Sequence, residues 1–489
     1  MANPLKQLAS ETAIYGLSTV LARIINVALV PVYTRVLTQS NFGIVTELMS
    51  WIGVLQVVLV LGLETGCFRF ANRDGANSRK VYGNAFVAVF GVSAATLALA
   101  IAFATPIASV LGYGGYESVI KYMGGILALD SITAIVFAKL RQEHKALKFA
   151  IIKTLKICTE FGTNLWLFLA ASKPEWIYNF VSRTPDFSYV IFSILVSCVV
   201  CAVLLSGEFL RLSLKLDRKL LGEMLAYSLP LMVAALPGVV NDLLDRMLFR
   251  WFDTSSVQWR ATLGVYQAAV KLSVIMNLFI QMFRYAAEPF FFQRTADRSS
   301  KKLYAKVMTY FVAFCCFILL GVVYYIDIID LLLGRDFRSA VGVVPIMLFA
   351  YILLGMLFNV NMWYKLSGRT SMAIWITLVG LAVTALVNIL FMPVFSYWAS
   401  AFGHLLSYAV MLAVSVALGN KYYRIPYDWK CILLIFVLTG AFYVLSLYTC
   451  LIDALGMKLG INTLLLLAFC GAMYAILKYK RKYYIIDND

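Results

Sequence analysis

Apolar residues run in long blocks along this chain, separated by short polar turns. The blocks predict fourteen helical spans, near 11–36, 42–70, 82–111, 117–140, 149–172, 187–207, 220–250, 260–288, 303–326, 340–364, 370–394, 396–419, 430–451 and 459–478. Each can cross the hydrocarbon layer of a bilayer, which takes ~20 residues at a rise of ~1.5 Å per residue. The longest connections, Lys173 to Asp186 and Gln293 to Lys302, are too short to hold a folded domain. The opening stretch sets the pattern. Two spans meet at the turn Thr38-Gln39-Ser40-Asn41, with Arg23 near the middle of the first and Glu64 toward the far end of the second. Tyr15, Thr19, Arg23 and Asn26 follow helical spacing and form one polar stripe on an otherwise apolar helix. A charge at that depth is costly in lipid, so it is expected to face a protein cavity and mark a pathway. The alternative is that Arg23 ties two helices together through a carboxylate.

Composition agrees: 62% of residues are hydrophobic, only 14% are charged, and mean hydropathy is +0.83. A soluble domain carries about 25% charged residues, so the chain is expected to be an all-α polytopic membrane protein. Its 42 Lys and Arg against 25 Asp and Glu leave a net charge of +17. The excess lies mainly in short loops on the side of the N-terminus, roughly three times as many as opposite, which predicts both termini in the cytoplasm. Nucleic acid is therefore not needed to explain the charge. The first apolar segment is full length and lacks a small-residue cleavage site, so no cleavable signal is expected. A weak repeat relates Tyr15-Gly-Leu to Tyr227-Ser-Leu, Pro31 to Pro237, Arg35 to Arg250, and Phe42-Gly43-Ile44 to Leu263-Gly264-Val265. It predicts two pseudo-symmetric six-helix lobes, 1–212 and 213–425, followed by two additional spans and a basic tail in 426–489.

Charges within spans are unevenly placed. The first eight spans hold Arg23, Glu64, Asp130, Lys153, Lys156, Glu160, Asp242, Asp245, Lys271 and Arg284, and the last six hold essentially none at depth. In the fifth span Lys153, Lys156, Glu160 and Asn164 share one face. In the eighth, Asn277, Gln281, Arg284 and Glu288 do so, with Lys271 near the centre on another side. Glu160, one turn beyond Lys156, is placed to pair with it. Asp130 has no basic residue within a turn, which makes it the better candidate for coupling to Na⁺ or a proton, ahead of Glu64 and Glu160. The alternative is that these carboxylates only neutralise the cations. No GxxxxGK[ST] loop occurs, His144 and His404 are far apart, and no large loop carries paired carboxylates. No catalysis, metal or cofactor is expected. Cys198-Val-Val-Cys201 and Cys315-Cys316 lie in apolar spans and are expected to be small apolar fillers.

The Tyr15–Phe70 stretch, especially LARIINVALVPVYTRVLTQSNFGIVTEL, resembles the opening of Wzx-type polysaccharide flippases of the multidrug/oligosaccharidyl-lipid/polysaccharide (MOP) superfamily. Fourteen spans in two six-span halves plus two fit the resemblance over the whole chain. It implies a two-lobed flippase of the cytoplasmic membrane, moving an undecaprenyl-pyrophosphate-linked oligosaccharide to the outer leaflet by alternating access. It also implies membrane lipids, Na⁺ or H⁺, and a polysaccharide polymerase as partners. Arg23 matches the first-helix Arg that faces the cavity in that branch, and Lys271 matches a basic residue of the eighth helix. Those two are expected to contact the pyrophosphate, with Asn26 beside them and Lys153, Lys156 and Arg284 forming the approach. Where the lipid II flippase pattern has an acidic residue after that Arg, this chain has Ile24, which puts a peptidoglycan precursor in doubt as substrate. The alternative is a cation-coupled multidrug exporter of the same superfamily, which would want net negative cavity walls.

Overall fold

The computed structural model describes residues 16, 20–21, 23–73, 77–254, 258–293, 300–449, 451 and 454–486, and every regular element among them is a helix. The helices used below are α1 (Val30–Val36), α2 (Gln39–Leu59), α3 (Leu63–Ala71), α4 (Ser78–Ala102), α5 (Ala104–Val110), α6 (Glu117–Gln142), α7 (Ala146–Leu169), α8 (Phe187–Leu204), α9 (Ser206–Phe209), α10 (Arg218–Phe252), α11 (Trp259–Leu272) and α12 (Val274–Gln293). Eight α-helices and two short 3-10 helices follow among the described residues, ending with Leu455–Ile486.

Among the described residues, eleven helices are long and apolar enough to cross a membrane, and twelve if α11 and α12, bent by 50° at their break, form one span. Fourteen spans remain compatible with that number. The span expected at 11–36 is only partly described, and α7 carries Lys153, Lys156 and Glu160 along its length, too many charges for an ordinary lipid-facing helix.

Local chemistry sets where the helices begin. Thr38 accepts from the Asn41 N–H at 3.2 Å, and Asn77 from the Lys80 N–H at 3.3 Å. Asp217 accepts from the Lys219 and Leu220 N–H groups, both at 3.1 Å. Each satisfies backbone donors that have no partner within the helix. Some hydroxyls inside the apolar stretches bond back one turn, as Thr46 does to Phe42 O at 3.0 Å and Ser50 to Thr46 O at 2.8 Å, which satisfies them within their own helix.

The chain forms two compact units. One comprises Met1–Gln267 with Asn388–Tyr397, the other Ala268–Val387 with Trp398–Asp489. The first is built on an apolar core of Leu63, Phe70, Tyr82, Val89, Ile135, Leu140, Ile152, Cys201 and Met224, contributed by α3, α4, α6, α7, α8 and α10. Helix α4 turns large apolar side chains the other way, with Phe90, Leu99 and Ile101 more than half exposed, as a lipid-facing helix does. In the second unit Ala287, Tyr304, Ala305, Met362 and Ile425 form a smaller cluster.

Small residues let α2 and α3 lie close against α10 and α11. A Cβ on Gly66 would stand 2.0 Å from Ser228 Oγ, and one on Gly62, at φ +66°, would stand 2.4 Å from Ser228 O. At the other end of the pair, a Cβ on Gly43 would lie 1.8 Å from Arg260 O, and one on Gly264 2.0 Å from Gln39 O. The two glycines that the repeat relates therefore meet each other, Gly264 N standing 3.1 Å from the Gly43 Cβ position.

Candidate functional site

Three groups of membrane-depth charges stand out among the described residues of the first unit. In the middle, α7 presents Lys153 and Lys156, both half-buried. Lys156 Nζ donates to Asp130 Oδ1 of α6 at 2.5 Å, and the Cys198 thiol of α8 stands 3.3 Å from the same oxygen. Lys156 thus reaches across to a neighbouring helix, where spacing along its own helix had pointed to Glu160. Asp130, in turn, has a base that a one-helix search could not see. Cys198 is likewise a weak donor to Asp130 as well as an apolar filler. Lys153 Nζ lies 5.3 Å from the Phe137 ring centroid and 5.8 Å from that of Phe149, and it forms no ion pair among the described residues. Glu160 lies half-buried one turn along α7, its carbonyl accepting from Asn164 at 2.8 Å.

The second group is Glu64 of α3 with Arg141 of α6, Nη2 to Oε2 2.9 Å, both side chains more than a third exposed. Glu64 is therefore matched by a basic residue from the end of a helix, and not by Arg23, Lys153 or Lys156. Arg23 and Asn26 are half-buried on the helical stretch 23–28. The other two members of the expected stripe, Tyr15 and Thr19, lie outside the described residues.

The third group was not foreseen. Glu47 of α2 is 1% exposed and receives Arg250 Nε at 2.8 Å and Nη2 at 3.4 Å, a two-pronged pairing. The Tyr113 hydroxyl donates to the same carboxylate. Arg250 Nη2 also donates to Leu111 O at 2.6 Å, and Arg260 Nη2 to Gly112 O at 3.2 Å. Gly112, at φ +64°, takes the left-handed turn that lets this loop present two consecutive carbonyls. The available signal was a single Glu inside the apolar run of α2.

In the second unit Lys271 is half-buried beside the 50° break between α11 and α12. Arg284 is exposed, its guanidinium 5.0 Å from the Phe358 ring centroid. Gln281 donates to Asn277 Oδ1 at 3.4 Å, as their shared face predicts. The Glu288 side chain lies outside those described.

Among the described residues no group of three or more His, Cys, Asp or Glu side chains is arranged to hold a metal. Outside the spans, Glu208 of α9 is fully buried and gathers Lys148 at 2.6 Å, Lys139 at 3.1 Å and Arg211 at 3.4 Å. Burial would raise its carboxyl, but hydrogen bonds from Lys148 and Lys139 outweigh that and hold it down at about 2.

With this geometry in view, likeness to solved structures places the fold. The chain is similar to the lipid II flippase MurJ in an inward closed conformation, with a TM-score of 0.74 and 11% identity over 94% of this chain and 98% of that one. It is also similar to an inward-facing multidrug resistance MATE family transporter of the MOP superfamily, with a TM-score of 0.61 and 12% identity over 84% and 94%. At such identities the likeness establishes a fold, that of MOP-superfamily transporters. The family model for polysaccharide biosynthesis proteins matches residues 8–295, more than half of the chain, and the chain belongs to that family. No curated protein matches its sequence. The protein is thus a multi-pass membrane protein of that family, with the fold those solved structures share.

Proposed function

We propose that this protein turns an undecaprenyl-pyrophosphate-linked oligosaccharide from the cytoplasmic to the outer leaflet of the cytoplasmic membrane by alternating access. The observation that carries the reading is Lys153. An ammonium half-buried in a membrane helix, beside two aromatic rings and in no ion pair among the described residues, is poised for an anion that comes and goes. A pyrophosphate supplies several oxyanion acceptors for such a group. Arg23 offers the forked donor that fits a phosphate, and Asn26, one turn along, adds a neutral one. Lys271 and Arg284 are candidate contacts for the same class of headgroup, each to be tested by its own variant.

The Lys156–Asp130 pair supplies a means of coupling. A proton or Na⁺ taken up by Asp130 would cancel its charge and free Lys156 for the headgroup, so the ion would favour the loaded state. Glu64 and Glu160 are the other coupling candidates. The drug-exporter alternative gains nothing from Asp130, whose charge Lys156 already matches. The proposal also keeps a polysaccharide polymerase as partner, lobes at 1–212 and 213–425 with 426–489 appended, and both termini in the cytoplasm.

Two experiments test it. Arg23→Ala and Lys153→Gln should each lower polymer export at normal membrane levels, by about 10- to 150-fold if one charge-assisted contact of about 1.5–3 kcal/mol is lost. Export at the wild-type level in both variants would sink the headgroup assignment. Reporter fusions at Tyr116 and Lys145 should report opposite sides, and a shared side would overturn the topology.

A further inference from the structure

We propose that the basic end of the first unit carries a binding pocket for the phosphate of an anionic phospholipid. The cavity holds about 510 Å³ and is lined by Arg79, Lys139, Lys145 and Arg211, with Glu143, Leu210, Leu212 and Ser213. Buried next to it, Glu208 fixes the cations in place, as Lys139, Lys148 and Arg211 all hydrogen-bond to it and Lys145 Nζ stands 3.9 Å away. Glu143 takes Lys145 at 2.6 Å and Lys139 at 3.7 Å, and its carboxylate is the one acidic group on the wall.

Charge counting decides what the pocket lacks. Two carboxylates, Glu143 and Glu208, face five cations once Arg79 and Lys148 are included, which leaves a surplus of three positive charges. Arg79 has no carboxylate partner among the described residues. An anion is the missing partner, and the mixture of Arg and Lys around an open cavity suits a phosphate.

The surroundings make that phosphate a lipid's. The pocket sits on the connection between two spans, after α8 ends at Leu204 and before α10 begins at Arg218, the level of the headgroups. The connecting chain reads Leu-Arg-Leu-Ser-Leu-Lys-Leu from Leu210 to Leu216. Leu210 is 87% exposed and Leu214 and Leu216 are exposed as well. Exposed leucines beside cations at a headgroup level fit acyl chains below and phosphate above. This inference rests on the pocket alone and not on which substrate is transported.

The test uses the full chain purified in detergent and titrated with phosphatidylglycerol or with zwitterionic phosphatidylcholine, the bound lipid being read by native mass spectrometry. Phosphatidylglycerol should be retained the more tightly, and the exposed-residue variant Arg79→Gln/Arg211→Gln should lose about fivefold of that preference or more. Arg73→Gln should keep it, because Arg73 pairs with Glu223 on an exposed surface outside the cavity. The charge-retaining Arg79→Lys/Arg211→Lys variant should keep most of it too, which separates lost charge from lost structure. Equal retention of both lipids, or an unchanged preference in the Gln variant, would overturn the proposal. Displacement of phosphatidylglycerol by excess inorganic phosphate would also overturn it, in favour of a soluble anion.

Discussion

Glu47→Gln is the most informative single substitution in the first unit. It keeps the shape of the side chain and removes one charge at a site 1% exposed, where Arg250 (14% exposed) and Tyr113 converge. Removing one partner of a buried pair costs about 3–5 kcal/mol, because the other charge is left without compensation. Here Arg250 keeps its 2.6 Å bond to Leu111 O and some contact with solvent, which lowers the expected cost to about 3 kcal/mol. An equilibrium that depends on this contact would move by about 150-fold. Hydrogen exchange reads the change directly. Peptides covering Leu111–Tyr116 and Arg260–Gln267 should exchange faster in Glu47→Gln, while the loop around Glu208 stays as in the wild type. Glu175→Gln is the control, since its pair with Arg183 is more than three-quarters exposed and should contribute almost nothing. Unchanged exchange in the 111–116 loop, with unchanged melting, would refute the view that this cluster holds the elements together.

Three further outcomes follow from the same geometry. Gly43→Ala should lower the melting temperature and destabilise by at least about 2 kcal/mol, because the new Cβ would lie 1.8 Å from a backbone oxygen that cannot rotate away. Lys156→Met should destabilise, with Lys156→Met/Asp130→Asn recovering part of the loss in thermal melts, and Asp130→Asn alone should alter the ion or pH dependence of flipping. Glu208 has a carboxyl lowered from 4.5 to about 2, so its contribution to stability is full above about pH 4.5 and is lost as pH falls toward 2. Glu208→Gln should lower stability near neutrality, and its melting temperature should fall less than the wild type's over that acid window.

The fold was legible because bilayer crossing imposes one simple pattern, long apolar blocks with polar ends, on each span separately. Phe42-Gly43-Ile44 and Leu263-Gly264-Val265, which the sequence relates to each other, lie where α2 and α11 come together. What could not be read was pairing between helices. Spacing along α7 joined Lys156 to Glu160 and left Asp130 alone, whereas the partner of Lys156 lies 26 positions away on α6. Glu47 and Arg250 are 203 positions apart, one near a polar turn and the other at the last residue of its expected span. Glu208 was passed over for the same reason, since nothing local shows that a loop carboxylate is fully buried beneath four cations. Net charge in the spans was visible in the sequence, and its neutralisation was not.

The central claim, transport of an anionic lipid-linked headgroup, is tested most directly by flipping in proteoliposomes loaded with a fluorescent undecaprenyl-pyrophosphate oligosaccharide. The wild-type protein should move it between leaflets, and Arg23→Ala should slow that movement by about tenfold or more at equal reconstitution. Equal rates for the wild type, Arg23→Ala and protein-free vesicles would contradict the account.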